Sequence, residues 1–410
     1  MHGRLVPAGG VYKVGYETGS IAASIAAGHG FSSPLSVPSG PSAWITPLYP
    51  YLLAGVFKLA GTFTFASSLT IRLLDVIFSS LTCIPIWALG KRIFSKSVGT
   101  TAAWIWVFLP GPVYFSVRWV WDTSLSALAL SVALLLTYLI SEHKKLGAWL
   151  GFGVVWGLAA LVNAAVLSVL PGCFAFAAYR AKNLGGKWFK PAMLAVFGFM
   201  VTVSPWIIRN QSVFHHQVYF RSNFGLELWL GNNPQVPDSW SWWLHPNDNA
   251  EERERYISMG EVPYMQEKER LAVEFIKTHP ADFARFVFHR FMENWSGSWD
   301  SLFDNWASGE LEARLIISLN YAFTLLSFLG LLIAQRKHKL LSLPLLNLLL
   351  VFPLIYYVCH PSLRYRHPID PAMTVLIAFS LIHVAQPIRK FIQRRNTSFH
   401  STRDGIAETA

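Results

Sequence analysis

Charge is scarce in this chain, and what there is leans one way. Only 14% of its 410 residues are charged, 34 Lys and Arg against 23 Asp and Glu, for a formal net charge of +11. A soluble domain carries roughly a quarter charged residues. With 53% hydrophobic residues and a mean hydropathy of +0.36, this chain is too apolar for a soluble globule of its size. The basic excess does not make it a nucleic-acid binder, because that function needs the cations gathered on one soluble face or stripe. Here 17 of the 34 sit in short loops between apolar runs and in the C-terminal tail, as the positive-inside rule produces. Cysteine is sparse too: Cys83, Cys173 and Cys359 lie in or beside apolar segments with no CxxC spacing. They are expected to be small packing residues, and no disulfide framework or zinc site is indicated. Walker, GxGxxG and HExxH motifs and internal repeats are all missing. Residues 1–30 also lack the basic stretch and uninterrupted apolar run of a signal peptide.

Long apolar runs are what the chain has in abundance. They predict an all-α polytopic membrane protein with about nine transmembrane helices, an external first loop and an external soluble insert. The expected spans are 68–90, 98–117, 121–141, 145–162, 163–180, 190–208, 312–334, 339–358 and 370–386. Basic clusters at Lys91/Arg92/Lys96, His143/Lys144/Lys145, Arg180/Lys182/Lys187/Lys190, Arg336/Lys337/Lys339 and Arg389/Lys390/Arg394/Arg395 fall at every second connection and mark the cytoplasmic side. Residues 1–67 are then an external loop, and 68–208 are a six-helix bundle. An external insert follows at 209–311, a three-helix bundle at 312–386 and a cytoplasmic tail at 387–410. Within the first region, Pro47 to Gly61 is too short to cross about 30 Å of hydrocarbon and reads as an interfacial helix. The external N-terminus leaves two readings: translocation by the following helix, or a further spanning helix ahead of Met1 in the natural protein. The regular polytopic pattern favours the second.

The insert holds 15 of the 23 acids. Val262 to Thr278 and Ala281 to Trp295, split by Pro280, are expected to form two helices. Its tryptophans (Trp229, Trp240, Trp242, Trp243, Trp295, Trp299, Trp306) can stack on sugar rings, though packing by amphipathic aromatics near a bilayer is the simpler reading.

Charges at helix ends or membrane depth are costly to place and mark functional candidates. On the external side these are Glu17 in the polar Gly/Pro/Ser-rich stretch Val14 to Pro50, Arg118 and Asp122 around RWVWD, Arg209 in SPWIIRN, and Arg364 and Arg366 in HPSLRYRHPIDP. External arginines run against the positive-inside trend. A lipid-linked phosphate is a natural partner, since guanidinium binds phosphate bidentately and keeps its charge; snorkelling to headgroups or pairing with an acid such as Asp370 is the alternative. A carboxylate set against an acceptor hydroxyl can act as general base. Glu17 is equally readable as an exposed acid at a helix N-terminus, and Asp122 as the N-cap of the helix that follows it.

Several stretches together resemble a known family. The first-loop acid, G-H-G-F, P-S-A with P-L-Y-P, the interfacial helix ending in Gly, LPGPVYFSVRWVWD, SPWIIRN, GLELWLGNNP, THPADF and HPSLRYRHPIDP follow one another as in the GT-C class of integral-membrane glycosyltransferases. Within it the chain is similar to bacterial relatives of protein O-mannosyltransferases and of the lipid A aminoarabinose transferase, a family 39-like pattern that covers nearly the whole chain. The resemblance implies transfer of a sugar from a polyprenyl-phosphate donor to an external acceptor (glycan, lipid or protein), with inversion, at the outer face of the plasma (inner) membrane. It gives Glu17 the place of the family's first-loop acid, Asp122 that of a later acid, and Arg364 and Tyr365 that of the R-Y pair near the donor phosphate. Two features depart from the pattern: no spanning helix precedes Glu17, and this acid is single where the family often has Asp or an acidic pair. No cofactor is implied firmly; a divalent metal stays open, with no ligand set to assign.

On this reading Arg364, with Arg366 or Arg209, holds the leaving phosphate while Glu17 takes the acceptor proton. Arg118 and His367 complete the candidate substrate-binding set. The alternatives are a transporter or flippase for a lipid-linked saccharide, which would normally show repeated halves or acids deep within spans, and an inactive sugar-binding scaffold.

Overall fold

In the computed structural model, residues 14–35, 37–143, 145–237, 239–297 and 311–385 are described. Lys144, Trp299, Trp306, the tail 387–410 and the first thirteen residues lie outside the described residues. The described residues form helices and carry no named strand, only an isolated bridge between Ser32 and Pro41.

In chain order the helices are α1 (Tyr16–Ala26), α2 (Leu48–Ala60), α3 (Phe65–Ile93), α4 (Lys96–Phe108), α5 (Pro110–Arg118), α6 (Thr123–Glu142), α7 (Leu146–Val162), α8 (Leu170–Asn183) and α9 (Phe189–Phe214). The insert contributes α10 (Phe224–Gly231), α11 (Ala250–Met259), α12 (Glu261–Thr278) and α13 (Pro280–Ser296). Three apolar helices follow: α14 (Leu311–Lys337), α15 (Lys339–Val358) and α16 (Leu363–Ala385).

By length and hydropathy, six helices among the described residues can cross a membrane, α3, α6, α9, α14, α15 and α16; the pair α4/α5, bent by 48°, makes a seventh if counted as one span. The protein is thus a multi-pass helical membrane protein. Two of the expected nine spans come out short. Helix α7 has 17 residues and α8 has 14, about 25 and 21 Å at 1.5 Å per residue against a core of about 30 Å. The shortening has a local cause. Asn163 leaves the helical region at the end of α7 and caps a short 3-10 segment, Ala164–Ser168, by accepting from the Ala165 N–H, and Pro171 then opens α8.

Helices α7 and α9 approach closely enough that a Cβ on Gly153 would stand 1.8 Å from the Ala195 carbonyl oxygen. Small residues permit such backbone contact where no water drives the packing. The core behind it joins Trp106 of α4, Tyr138 of α6, Trp149 and Trp156 of α7, Leu348 of α15 and Leu376 of α16, all buried.

The stretch Val14 to Pro50, expected to be a loop, contains α1. Its glycine and serine content conceals a helical stripe: Ile21 and Ala22 are fully buried, and Ala22 packs with Tyr49, Leu53 and Phe57 of α2. The two insert helices expected around Pro280 are present as α12 and α13. Glu261, at the start of α12, staples the first segment to the insert. One of its oxygens accepts from the Ala43 N–H and the Ser222 hydroxyl, both at 2.6 Å, and the other from the Tyr256 hydroxyl at 2.7 Å.

Candidate functional site

Between the first segment, the insert and α16 lies a cavity of about 1720 Å³, larger than the usual 300–1,000 Å³ of a small-molecule site. It has room for more than one ligand. Glu17, Asp122 and Arg364 all line it, although they come from three distant parts of the chain.

Glu17 is presented by a tight turn. Gly15 and Tyr16 both have positive φ, 79° and 43°. For a non-glycine residue this left-handed conformation stores strain and persists only where its surroundings enforce it. The Tyr16 hydroxyl donates to Asp248 at 2.7 Å. Next in the chain, Glu17 is 5% exposed, and the segment 245–248 of the insert covers it. The Asn247 N–H lies 3.2 Å from His245 Nδ1 and donates to it, which assigns the ring proton to Nε2. That Nε2 stands 3.3 Å from Glu17 Oε1, and the Asn247 side-chain amide donates to the same oxygen at 3.3 Å. Oε1 is therefore occupied, and no side chain among the described residues bonds Oε2.

Burial pushes the Glu17 carboxyl up to about 8, helped by the charge of Glu227 and opposed by its backbone hydrogen bond, Arg364 and Arg221. Burial also drives His245 down to about 4, against the charges of Glu227 and Asp248. The imidazole that approaches Glu17 is therefore neutral, and Glu17 exchanges its proton close to neutrality, where a general base works best.

Asp122 sits at the N-cap position of α6, but its carboxyl does not cap the backbone. It accepts from the Ser126 hydroxyl at 2.8 Å. Burial raises it, with Ser126, Arg221 and Arg364 pulling the other way.

The arginines separate by what already holds them. Arg364 lies 4.0 Å over the Trp121 ring and donates to the Tyr365 hydroxyl at 2.7 Å. Arg366 lines the cavity yet is buried and bound to Asp370 at 3.1 Å and to the carbonyls of Asn294 and Trp295. His367 shares Asp370 and packs against Trp106 and Phe115. Arg209 does not line the cavity: its guanidinium donates to the carbonyls of Ser42 and Phe31, both at 2.7 Å. Arg118, in the last turn of α5, is not part of the lining either.

Reading the sequence missed Arg221, Glu227, His245 and His360. Arg221 is exposed into the cavity; its Nε donates to the Trp44 carbonyl at 3.3 Å, and no carboxylate lies within ion-pair distance among the described residues. Its charge nevertheless reaches Glu17, Asp122 and Glu227. Glu227 accepts from the Asn223 side chain at 2.7 Å and lies 3.2 Å from His360. Burial works to raise its carboxyl, but His360, Arg221 and His245 hold it down at about 2. The signals were present in GLELWLGNNP and HPSLRYRHPIDP, whose acid and first histidine face each other.

Among the described residues no group of three or more His, Cys, Asp or Glu side chains is placed to hold a metal ion.

Residues 41–208 match the family model described as dolichyl-phosphate-mannose-protein mannosyltransferase. No curated protein matches the chain by sequence. Among solved structures, the oligosaccharyltransferase AglB from Archaeoglobus fulgidus, in complex with an inhibitory peptide and a dolichol-phosphate, is 16% identical with a TM-score of 0.53; the match covers 93% of this chain and 47% of AglB. The A. fulgidus oligosaccharyltransferase in complex with Zn and sulfate gives 13%, 0.54, 91% and 45%. ArnT from Cupriavidus metallidurans bound to undecaprenyl phosphate is 13% identical over 92% of this chain and 75% of its own, with a TM-score of 0.38. The chain therefore spans about half the length of the oligosaccharyltransferase whose fold it shares. The resemblance to GT-C glycosyltransferases read from the motifs is met by the family model and by this shared fold.

Proposed function

We propose that the chain transfers a sugar from a polyprenyl-phosphate donor to an acceptor hydroxyl on the external face of the plasma (inner) membrane, with inversion at the anomeric carbon. The observation that carries this reading is the composition of the cavity lining. Glu17 and Asp122 share it with Arg364 and Arg221, two guanidiniums with no carboxylate within ion-pair distance among the described residues, and with the apolar residues Tyr114, Phe115, Leu319, Phe323 and Ile355. The apolar residues suit a prenyl chain and the guanidiniums suit its phosphate.

In the reaction, Glu17 Oε2 takes the proton of the acceptor hydroxyl as its oxygen bonds to the anomeric carbon. The bond from that carbon to the phosphate oxygen breaks, and polyprenyl phosphate leaves with the electron pair, stabilised by Arg364 and Arg221. One displacement inverts the carbon. Arg366 and Arg209, already committed to Asp370 and to backbone carbonyls, shape the site without meeting the phosphate.

The test is purified full-length protein in lipid nanodiscs with labelled polyprenyl-phosphate sugars and a panel of glycan, lipid and protein acceptors. The expected result is label on an acceptor with release of polyprenyl phosphate. Uncleaved donor crossing a liposome membrane would instead indicate a transporter, and binding without cleavage a scaffold.

A further inference from the structure

Behind Arg364 runs a directed line of polar groups that begins in the insert. Asn223 donates to Glu227 Oε1 at 2.7 Å, Glu227 Oε2 lies 3.2 Å from His360 Nδ1, His360 Nε2 lies 3.1 Å from the Tyr365 hydroxyl, and Arg364 Nη2 reaches that hydroxyl at 2.7 Å. Each ring is clamped by a flat stack, Trp240 on His360 at 4.6 Å and 10° and Tyr356 on Tyr365 at 4.9 Å and 1°.

The direction follows from donor chemistry. A guanidinium can only donate, so the Tyr365 oxygen accepts from Arg364 and its single proton turns to His360. His360 Nε2 is then the acceptor, which puts the ring proton on Nδ1, facing the Glu227 carboxylate. The two bonds at the Tyr365 hydroxyl fix the sense of the line, and Glu227, 3.2 Å from His360 Nδ1, adds its charge to the ring rather than an aligned hydrogen bond.

We propose that Glu227, acting through His360 and Tyr365, is a positioning relay that sets the Arg364 guanidinium in the orientation that receives the donor phosphate. The inference rests on the reading of Arg364 as a phosphate ligand. It assigns Glu227 and His360 a role at a distance, since neither has to touch the donor. It also makes the insert part of the donor site: Glu227 belongs to α10, whereas Arg364 belongs to α16.

The test measures binding of a fluorescent short-chain polyprenyl phosphate to the full chain in nanodiscs, with the melting temperature as a control for folding. Arg364→Ala and Tyr365→Phe are each expected to weaken binding about tenfold, the scale of one hydrogen bond involving a charged group. Combined, they should weaken it no more than Arg364→Ala alone, because Tyr365 acts only through Arg364. His360→Ala should match Tyr365→Phe, and His360→Gln, whose amide oxygen can still accept from Tyr365, should recover part of the loss. Multiplying losses in the double variant, or equal losses for His360→Gln and His360→Ala, would overturn the relay while leaving Arg364 as a phosphate ligand. Unchanged binding in Arg364→Ala would overturn the phosphate reading itself and the relay with it.

Discussion

His245 Nε2 and Asn247 Nδ2 converge on the same oxygen of Glu17, Oε1, each from 3.3 Å. The first segment and the insert thus meet at the one acid on which the proposed chemistry depends. Replacing His245 by Ala removes an N–H group that lies 3.3 Å from the carboxylate. We expect a loss of about tenfold in kcat, the low end of the scale for a donor beside a charged group. Because that N–H favours the charged form, the apparent pKa of the base should rise as well. Steady-state rates across pH check both. An unchanged pH profile would show that His245 does not touch the base.

The second prediction concerns pH itself. With its carboxyl pushed up to about 8 by burial, Glu17 is the proton acceptor only when ionised, so transfer should climb as pH rises towards 8 and then level. Stability runs the opposite way. From the ordinary value of 4.5 up to about 8 the folded state holds a proton that the unfolded state has released, so this group's contribution falls as pH rises through that window. Rate profiles and thermal unfolding of the wild type and Glu17→Gln measure both slopes.

Arg209 and Arg221 should fail differently when changed to Ala. Arg209 satisfies the Ser42 and Phe31 carbonyls, and its loss leaves buried acceptors unpaired at about 1–3 kcal/mol. The expected outcome is a lower melting temperature with donor affinity intact in the protein that remains folded. Among the described residues Arg221 makes one hydrogen bond, to the Trp44 carbonyl at 3.3 Å. Its removal should weaken donor binding about tenfold or more with little effect on melting. Thermal unfolding beside a donor titration separates the two.

These contrasts show where the sequence was readable. The spans follow from long apolar runs, and α12 and α13 from the break at Pro280, because bilayer thickness and proline chemistry act locally. Glu17, Asp122 and Arg364 stood out as charges in costly places, and the structure sets all three around one cavity. Helix α1 was hidden because Gly19, Ser20 and Ser24 read as a loop, whereas its stability comes from packing Ala22 on α2. Arg209 and Arg221 look alike on paper; only the carbonyls that fold around Arg209 distinguish a structural cation from one left open to the cavity. His245 was invisible for a related reason. Its neighbour Asn247 lies 230 residues from Glu17 in the chain, and no local pattern encodes a meeting at that range.

The central claim is that Glu17 is the base for transfer from a lipid-linked phosphate sugar. Glu17→Gln preserves shape and the Asn247 hydrogen bond to Oε1 while removing the proton acceptor. Single-turnover transfer from a labelled polyprenyl-phosphate sugar, measured with the variant saturated in donor, should fall about 10²- to 10⁴-fold with donor affinity unchanged. Transfer at close to the wild-type rate would contradict the account.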